Sequence, residues 1–162
     1  MQTLTPVPAT LMPDAARLWC RHFRPPGRGQ ICAAQGVVAL DTAGRLVGVM
    51  GLRDATGGFW QPARASGLML LYRACPPTSD LVIDGIAALQ PRRGTGRRLI
   101  AAGLSEALRR GHPGLRAELR AGNHAALAFY SSLGFCEVTR GRYGWPWGGQ
   151  VIVMRLPVAM AA

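Results

Sequence analysis

The run DLVIDGIAAL, residues 80–89, constrains this chain more than any other stretch. It is nearly continuously apolar, without the alternation of a strand that is wet on one face. The run therefore predicts a central strand covered on both faces, which requires other layers of structure above and below it. Asp84 is the single acid in its interior, and burial of a carboxyl raises its pKa.

A glycine-bearing turn and a helix follow. TGRRLIAAGLSEALRRG (95–111) sets Leu99, Ile100, Gly103, Leu104, Ala107 and Leu108 on one helical face, and Gly111 and Pro113 stop it. Gly94 and Gly96 in LQPRRGTGRRLI fall between strand and helix. Backbone N–H groups in such a loop, together with the helix N-terminus, form an anion site, and glycine lets a phosphate approach closely. Arg92, Arg93, Arg97 and Arg98 add charge there. The loop is not a Walker A motif, which needs Gly-Lys-Ser/Thr. It is not a dinucleotide fingerprint either, because Arg98 and Leu99 stand where a third glycine belongs. The competing reading is a tight strand-to-helix turn with solvated arginines.

Elsewhere, residues 3–8 read as a frayed edge strand, 12–23 as a short helix and 24–30 as turn-rich. Residues 36–54 form a β-hairpin joined at Asp-Thr-Ala-Gly, 55–67 are loop-like, and SGLMLLYRA (66–74) suggests a buried helix. LRAELR (115–120) is a strand, 123–133 a helix, and 135–140 and 150–156 are two final strands around GRYGWPWGG. A hairpin, then strand–helix–strand–helix, then a strand pair predicts an α/β domain with a mixed sheet, spanning 1–162 as one unit.

Composition narrows the function classes. With 49% apolar residues and a mean hydropathy of +0.12, the chain reads as globular, not disordered. No apolar run approaches the roughly 20 residues of a membrane span, and the N-terminus lacks the pattern of a signal peptide. All 19 basic residues are arginine, against 8 acids, for a net charge of +11. Nucleic acid or another polyanion is one reading of that excess, and codon bias in a GC-rich genome is the other. Cys20, Cys32, Cys75 and Cys136 are scattered, which predicts reduced thiols and a cytoplasmic protein. His22, His112 and His124 share no metal spacing, so no metal is expected.

The stretch LRAGNHAALAFYSSLGF (119–135) opens a helix at Asn123 and carries Tyr130 about two turns later. Asn123 as an N-cap and Tyr130 as a core aromatic would account for both. The two segments together, RRGTGRRLI and then Asn123, Ala126, Phe129, Tyr130, Gly134 and Phe135 in Asn-x-x-Ala-x-x-Phe-Tyr-x-x-x-Gly-Phe, resemble the GNAT superfamily of acetyl-CoA-dependent N-acetyltransferases. The resemblance covers roughly residues 36–156.

That resemblance implies a GNAT fold, a mixed sheet of about six to seven strands with about four helices and a V-shaped splay between strands 81–89 and 115–120. It implies acetyl-CoA as cosubstrate, with Ile86, Ala87, Ala88 and Leu89 along the pantetheine arm and Arg92, Arg93, Gly94, Thr95, Gly96 and Arg97 around the pyrophosphate. Asn123, with Ala126 and Phe129 on the same helix, would border the arm, and Tyr130 would return a proton to the departing sulfur. A neutral amine would attack the thioester directly, with a backbone N–H of strand 81–89 stabilising the oxyanion. Asp84 and Glu118 are the candidate bases, and a structural carboxylate is the alternative for each. Aligning Gly94 and Gly96 with the family's two glycines puts Pro91 where Gln or Arg is expected, whereas letting Arg93 lead puts Arg98 in the final glycine position; the approach to the loop is also about two residues short. A lost charge-assisted contact is worth about 1.5–3 kcal/mol.

The implied function is transfer of an acetyl group to a primary amine of a small molecule or protein. The alternatives are an acyl-CoA-binding protein without turnover and an RNA-associated acetyltransferase that uses its basic surface. Trp145 and Trp147 would stack on the acceptor or merely pack, and Phe59, Trp60 and Tyr72 would wall the same pocket. The terminal VAMAA (158–162) reads as a frayed tail or a homodimer contact.

Overall fold

The computed structural model describes residues 1–23, 28–63, 70–90 and 92–158. Its main sheet runs β1 (Gln2–Leu4), β3 (Gly36–Leu40), β4 (Leu46–Asp54), β7 (Leu81–Ala88), β8 (Gly114–Arg120), β10 (Val151–Pro157) and β9 (Cys136–Gly141), with the short β5 (Gly57–Gly58) paired to β4. Among the described residues only β7 and β8 pair in parallel; the other pairings are antiparallel. Three α-helices are described: α1 (Met12–Phe23), α2 (Thr95–Arg109) and α3 (His124–Ser131).

The β3–β4 hairpin closes where the sequence predicts. Asp41 Oδ1 accepts from the N–H groups of Ala43 and Arg45, both at 2.9 Å, and Gly44 takes φ +76°. An Asx-type turn of this kind satisfies the turn amides locally.

Apolar cores lie on both faces of the sheet, as the continuous apolar run requires. Leu99, Ile100 and Ala107 of α2 pack with Met50, Leu81, Ile83, Leu115 and Tyr130 on one side. Leu18 and Trp19 of α1 pack with Val49, Phe59 and Ala87 on the other. The buried face of α2 is rotated from the expected one: Leu108 is exposed while Glu106 is buried. Glu106 tolerates burial because Arg109 and Arg110 bind its carboxylate at 2.6–2.8 Å. Arg110 continues to Asp54 at 2.9 Å and Gln35 at 2.7 Å, tying the end of α2 to β4.

Two expectations are corrected. Gly29–Ile31 and Trp60–Pro62, expected as turn and loop, pair as a small antiparallel sheet of β2 and β6. Residues 66–69 of the expected buried helix lie outside the described residues, but Leu70, Leu71 and Tyr72 are exposed. Leu70 and Leu71 form part of a 3-10 turn, and Arg73 and Gly144 exchange backbone hydrogen bonds at 2.9 and 2.6 Å, an isolated bridge that ties Arg73 to the 141–150 turn. Apolarity without a sheet or helix to cover it does not bury a segment. The last four residues of the chain, 159–162, also lie outside the described residues.

Candidate active site

The parallel pair β7–β8 has three rungs, Leu81↔Leu115, Val82↔Arg116 and Ile83↔Ala117, and then the strands part. The cause lies on the other edge of β7. Its register with β4 shifts between Leu52↔Ile83 and Gly51↔Gly85, which leaves Asp84 as an extra residue, a bulge that bends the strand. Gly85 lets the bend pass α1, since a Cβ there would strike the ring of Phe23. Beyond the bulge, Leu89 donates its N–H to Val47 O at 3.0 Å. Antiparallel pairing alternates, so Ala87 and Leu89 turn their backbone groups to β4 while Ile86 and Ala88 turn theirs into the opening. Of the four residues expected along this arm, two therefore present backbone donors and acceptors there.

Beside the opening, α2 begins at Gly94, which has φ +77° and lets Arg98 N–H bond its carbonyl at 3.1 Å. Among the described residues no side chain caps this helix start, and the amides of its first turn lack intrahelical partners. Gly94 faces open space, and Arg92 takes φ +62° on the way in. The Thr95 side chain is buried against Gly48, leaving only its backbone toward the loop. Arg92, Arg93, Arg97 and Arg98 are exposed. Pro91 lies outside the described residues. An uncapped first turn ringed by exposed guanidiniums fits a pyrophosphate.

Asn123 caps α3, its Oδ1 accepting from Ala126 N–H at 3.1 Å. The expected alternative for this residue is thus present, and only its amide nitrogen is left for a ligand. Tyr130 is 5% exposed, edge-on to Phe129 and Phe135 with centroids 5.2 and 5.0 Å away. Burial pushes its hydroxyl well above the usual tyrosine range. Asn123 and Tyr130 are therefore at opposite ends of α3, one exposed and one in the core. Ala126 and Phe129 are partly buried between them.

On the α1 side of the sheet, a cleft of about 450 Å³ opens at the branch point, lined by residues including Phe23, Arg53, Tyr72, Asp84, Glu118 and Trp145. Arg53 Nε binds Asp84 Oδ1 at 2.8 Å and Arg53 Nη2 binds Glu118 Oε2 at 3.1 Å. Asp84 also accepts from Phe59 N–H at 3.2 Å, and Arg116 Nη2 lies 3.0 Å from Glu118 Oε1. Burial raises the Asp84 carboxyl above its ordinary value, although Arg53 works against it. Burial and the neighbouring Glu118 push the Cys75 thiol up to about 11.

The aromatics divide. Trp145 stacks on Trp147 at 5.4 Å and 9°, and Tyr72 meets Trp145 edge-on at 5.4 Å. Trp145 and Tyr72 line the cleft; Trp147 is 72% exposed beside it. Phe59 is in the core and Trp60 packs on Gly29, so neither walls the cleft as expected. Arg53, Cys75 and Tyr143 line the cleft although the sequence does not single them out as site residues. Arg53 carried one signal, a charge near the end of an apolar hairpin strand. Among the described residues no group of three His, Cys, Asp or Glu side chains is placed to hold a metal ion.

Parted parallel strands beside an uncapped helix start define a fold built to receive an extended ligand with an anionic end. The chain belongs to the acetyltransferase (GNAT) family, whose model matches residues 9–135. Over 72 residues it is 43% identical to the ribosomal protein bS18-alanine N-acetyltransferase of Salmonella typhimurium. That stretch is 43% of this chain and 49% of the relative, so the match spans about half the relative's length. Among solved structures, the ribosomal-protein-alanine N-acetyltransferase of Brucella melitensis superposes with a TM-score of 0.63 at 18% identity, covering 97% of this chain and 99% of that one. An acetyltransferase of Bacillus anthracis, solved with acetyl coenzyme A, gives 0.52 at 18% identity, covering 85% of this chain and 66% of that one. No helix among the described residues is long and apolar enough to cross a membrane.

Proposed function

We propose that the chain is an N-acetyltransferase that moves the acetyl group of acetyl-CoA to a primary amine of a protein or small molecule by direct attack. The observation that carries this reading is the parting of β7 and β8 beyond Ile83↔Ala117 next to the uncapped start of α2. Acetyl-CoA supplies the activated carbonyl that the amine attacks, and it leaves as the thiol.

The residues divide the remaining work. Backbone groups of Ile86 and Ala88 pair with the pantetheine arm as an added strand would. The first-turn amides of Gly94, Thr95, Gly96 and Arg97 hold the pyrophosphate, and Arg92 and Arg93 add charge. The Asn123 amide nitrogen, Ala126 and Phe129 border the arm from α3. Tyr130 carries the hydroxyl that returns a proton to the departing sulfur; burial raises its pKa, so it stays protonated at neutral pH and gives that proton up less readily than an exposed tyrosine would. Asp84 and Glu118, on the cleft side, take the proton that an acceptor ammonium must lose.

A protein amine is the acceptor to test first, because the Salmonella relative acts on an alanine of a ribosomal protein. The exposed aromatics beside the cleft offer apolar surface to a polypeptide. A cytoplasmic setting accords with Cys20, Cys32, Cys75 and Cys136, all free thiols.

The test is a calorimetric titration of acetyl-CoA, followed by mass spectrometry of peptides bearing a free α-amine. The expected result is micromolar binding, its loss in Gly96→Glu, and addition of one acetyl group to at least one peptide. No heat and no thermal shift at millimolar acetyl-CoA would overturn the reading.

A further inference from the structure

Asp84 and Glu118 are the first residues past the last shared rung, one on each arm of the opening. A single guanidinium from a third strand, Arg53 on β4, reaches both, at 2.8 and 3.1 Å. We propose that Arg53 is a positioning residue for acetyl transfer, a clamp that fixes these two carboxylates across the branch point and favours the ionised form of Asp84. The inference rests on the acetyltransferase reading above.

An ordinary surface ion pair contributes little, because water screens it and two flexible side chains must be ordered. This pair is different on the acid side. The Asp84 and Glu118 side chains are each 18% exposed, whereas Arg53 is 44% exposed and lies on their cleft side. Two half-buried carboxylates held within the span of one guanidinium repel each other, and without the cation one of them takes up a proton.

The other groups around them decide which one. Glu118 has a second cation, Arg116 of β8, at 3.0 Å. Asp84 has only the Phe59 N–H besides Arg53 among the described residues, and Gly58 is so close that a Cβ there would strike its Oδ2. Tyr72 and Cys75 face the same space uncharged, both with pKa values raised by burial and by Glu118. Arg120 lines the cleft from the end of β8 and Tyr143 from the closing turn, while α1 contributes Trp19 and Phe23 and no charge. Loss of Arg53 therefore falls mainly on Asp84.

The test compares wild type, Arg53→Lys and Arg53→Met in the full chain. Carboxyl carbon-13 titration, without any ligand, is expected to move the Asp84 midpoint up by about one to three pH units in Arg53→Met and much less in Arg53→Lys. With a free-amine peptide as probe, the acid limb of the kcat/KM profile in Arg53→Met moves up by the same amount. Its kcat falls near neutral pH with little change in peptide KM and recovers at high pH, and lysine restores most of it. An unmoved Asp84 midpoint, or an activity loss equal at every pH, overturns the clamp. Should Arg53→Met fail to fold, Arg53→Gln serves the same comparison. A wild type that acetylates no probe would sink the acetyltransferase reading while the titration still decides the clamp.

Discussion

Gly96 in the first turn of α2 lies against the ring of Phe129 on α3: a Cβ at that position would sit 2.9 Å from the ring's Cζ. This contact joins the two helices that flank the opening between β7 and β8. The same glycine offers its N–H among the uncapped amides.

Two opposing effects meet in Gly96→Ala. Alanine gains roughly 1 kcal/mol of helix propensity. Overpacking against Phe129 costs about 1–3 kcal/mol. The expected net loss is about 0–2 kcal/mol in urea unfolding. Acetyl-CoA binding, measured by calorimetry, weakens by more than that loss, because displacement of Phe129 disturbs the opening itself.

Asn123→Ala removes the cap of α3 and is expected to cost about 0.5–2 kcal/mol. Asn123→Ser keeps a capping oxygen and should unfold close to wild type. It lacks the amide nitrogen, however, so its acetyl-CoA affinity is expected to drop about 2- to 12-fold, the worth of one hydrogen bond. Equal affinities for the serine variant and wild type would leave Asn123 with its cap alone.

Tyr130→Phe is expected to lower kcat by about 100-fold or more with little change in acetyl-CoA KM. A pH effect on stability should accompany it. The hydroxyl's folded pKa is raised by burial, so it contributes nothing to the pH dependence below the ordinary value near ~10. Above that pH the unfolded chain can ionise the group and the folded chain resists, so wild-type stability falls as pH rises. Denaturant midpoints of Tyr130→Phe should decline less over the same range.

Glu106 behaves in the opposite sense. Arg109 and Arg110 hold its buried carboxyl down to about 2 from an ordinary 4.5. Its stabilisation is present above about pH 4.5 and fades as the pH falls toward 2. Glu106→Gln is expected to cost about 1–3 kcal/mol at neutral pH and to flatten the loss of stability in acid. Urea midpoints from pH 7 down to the acid transition check both.

Much of the fold was legible in local patterns. α1 spans Met12–Phe23, the range that reads as a short helix in the sequence, and the Asp41 turn closes the hairpin where Asp-Thr-Ala-Gly stands. Asn123 as a cap and the glycine turn before α2 could also be read locally, because caps and turns depend on residues a few places apart. Within the expected buried helix, Leu70, Leu71 and Tyr72 misled because apolarity predicts burial only where another element supplies a cover. Leu70 had none and is 93% exposed.

By itself the sequence determined α1, α2, α3, the β3–β4 hairpin and the order of the later strands, which rest on short-range periodicity and turn chemistry, and it carried the family resemblance at Asn123 through Phe135. Only the tertiary structure decided which charges meet. Asp84 and Glu118 stand 31 and 65 residues from Arg53, and their contact depends on a one-residue bulge in β7 and on where β7 and β8 stop pairing. Register across strands is a property of the assembled sheet, and a shift of one residue would have turned each of these side chains to the opposite face.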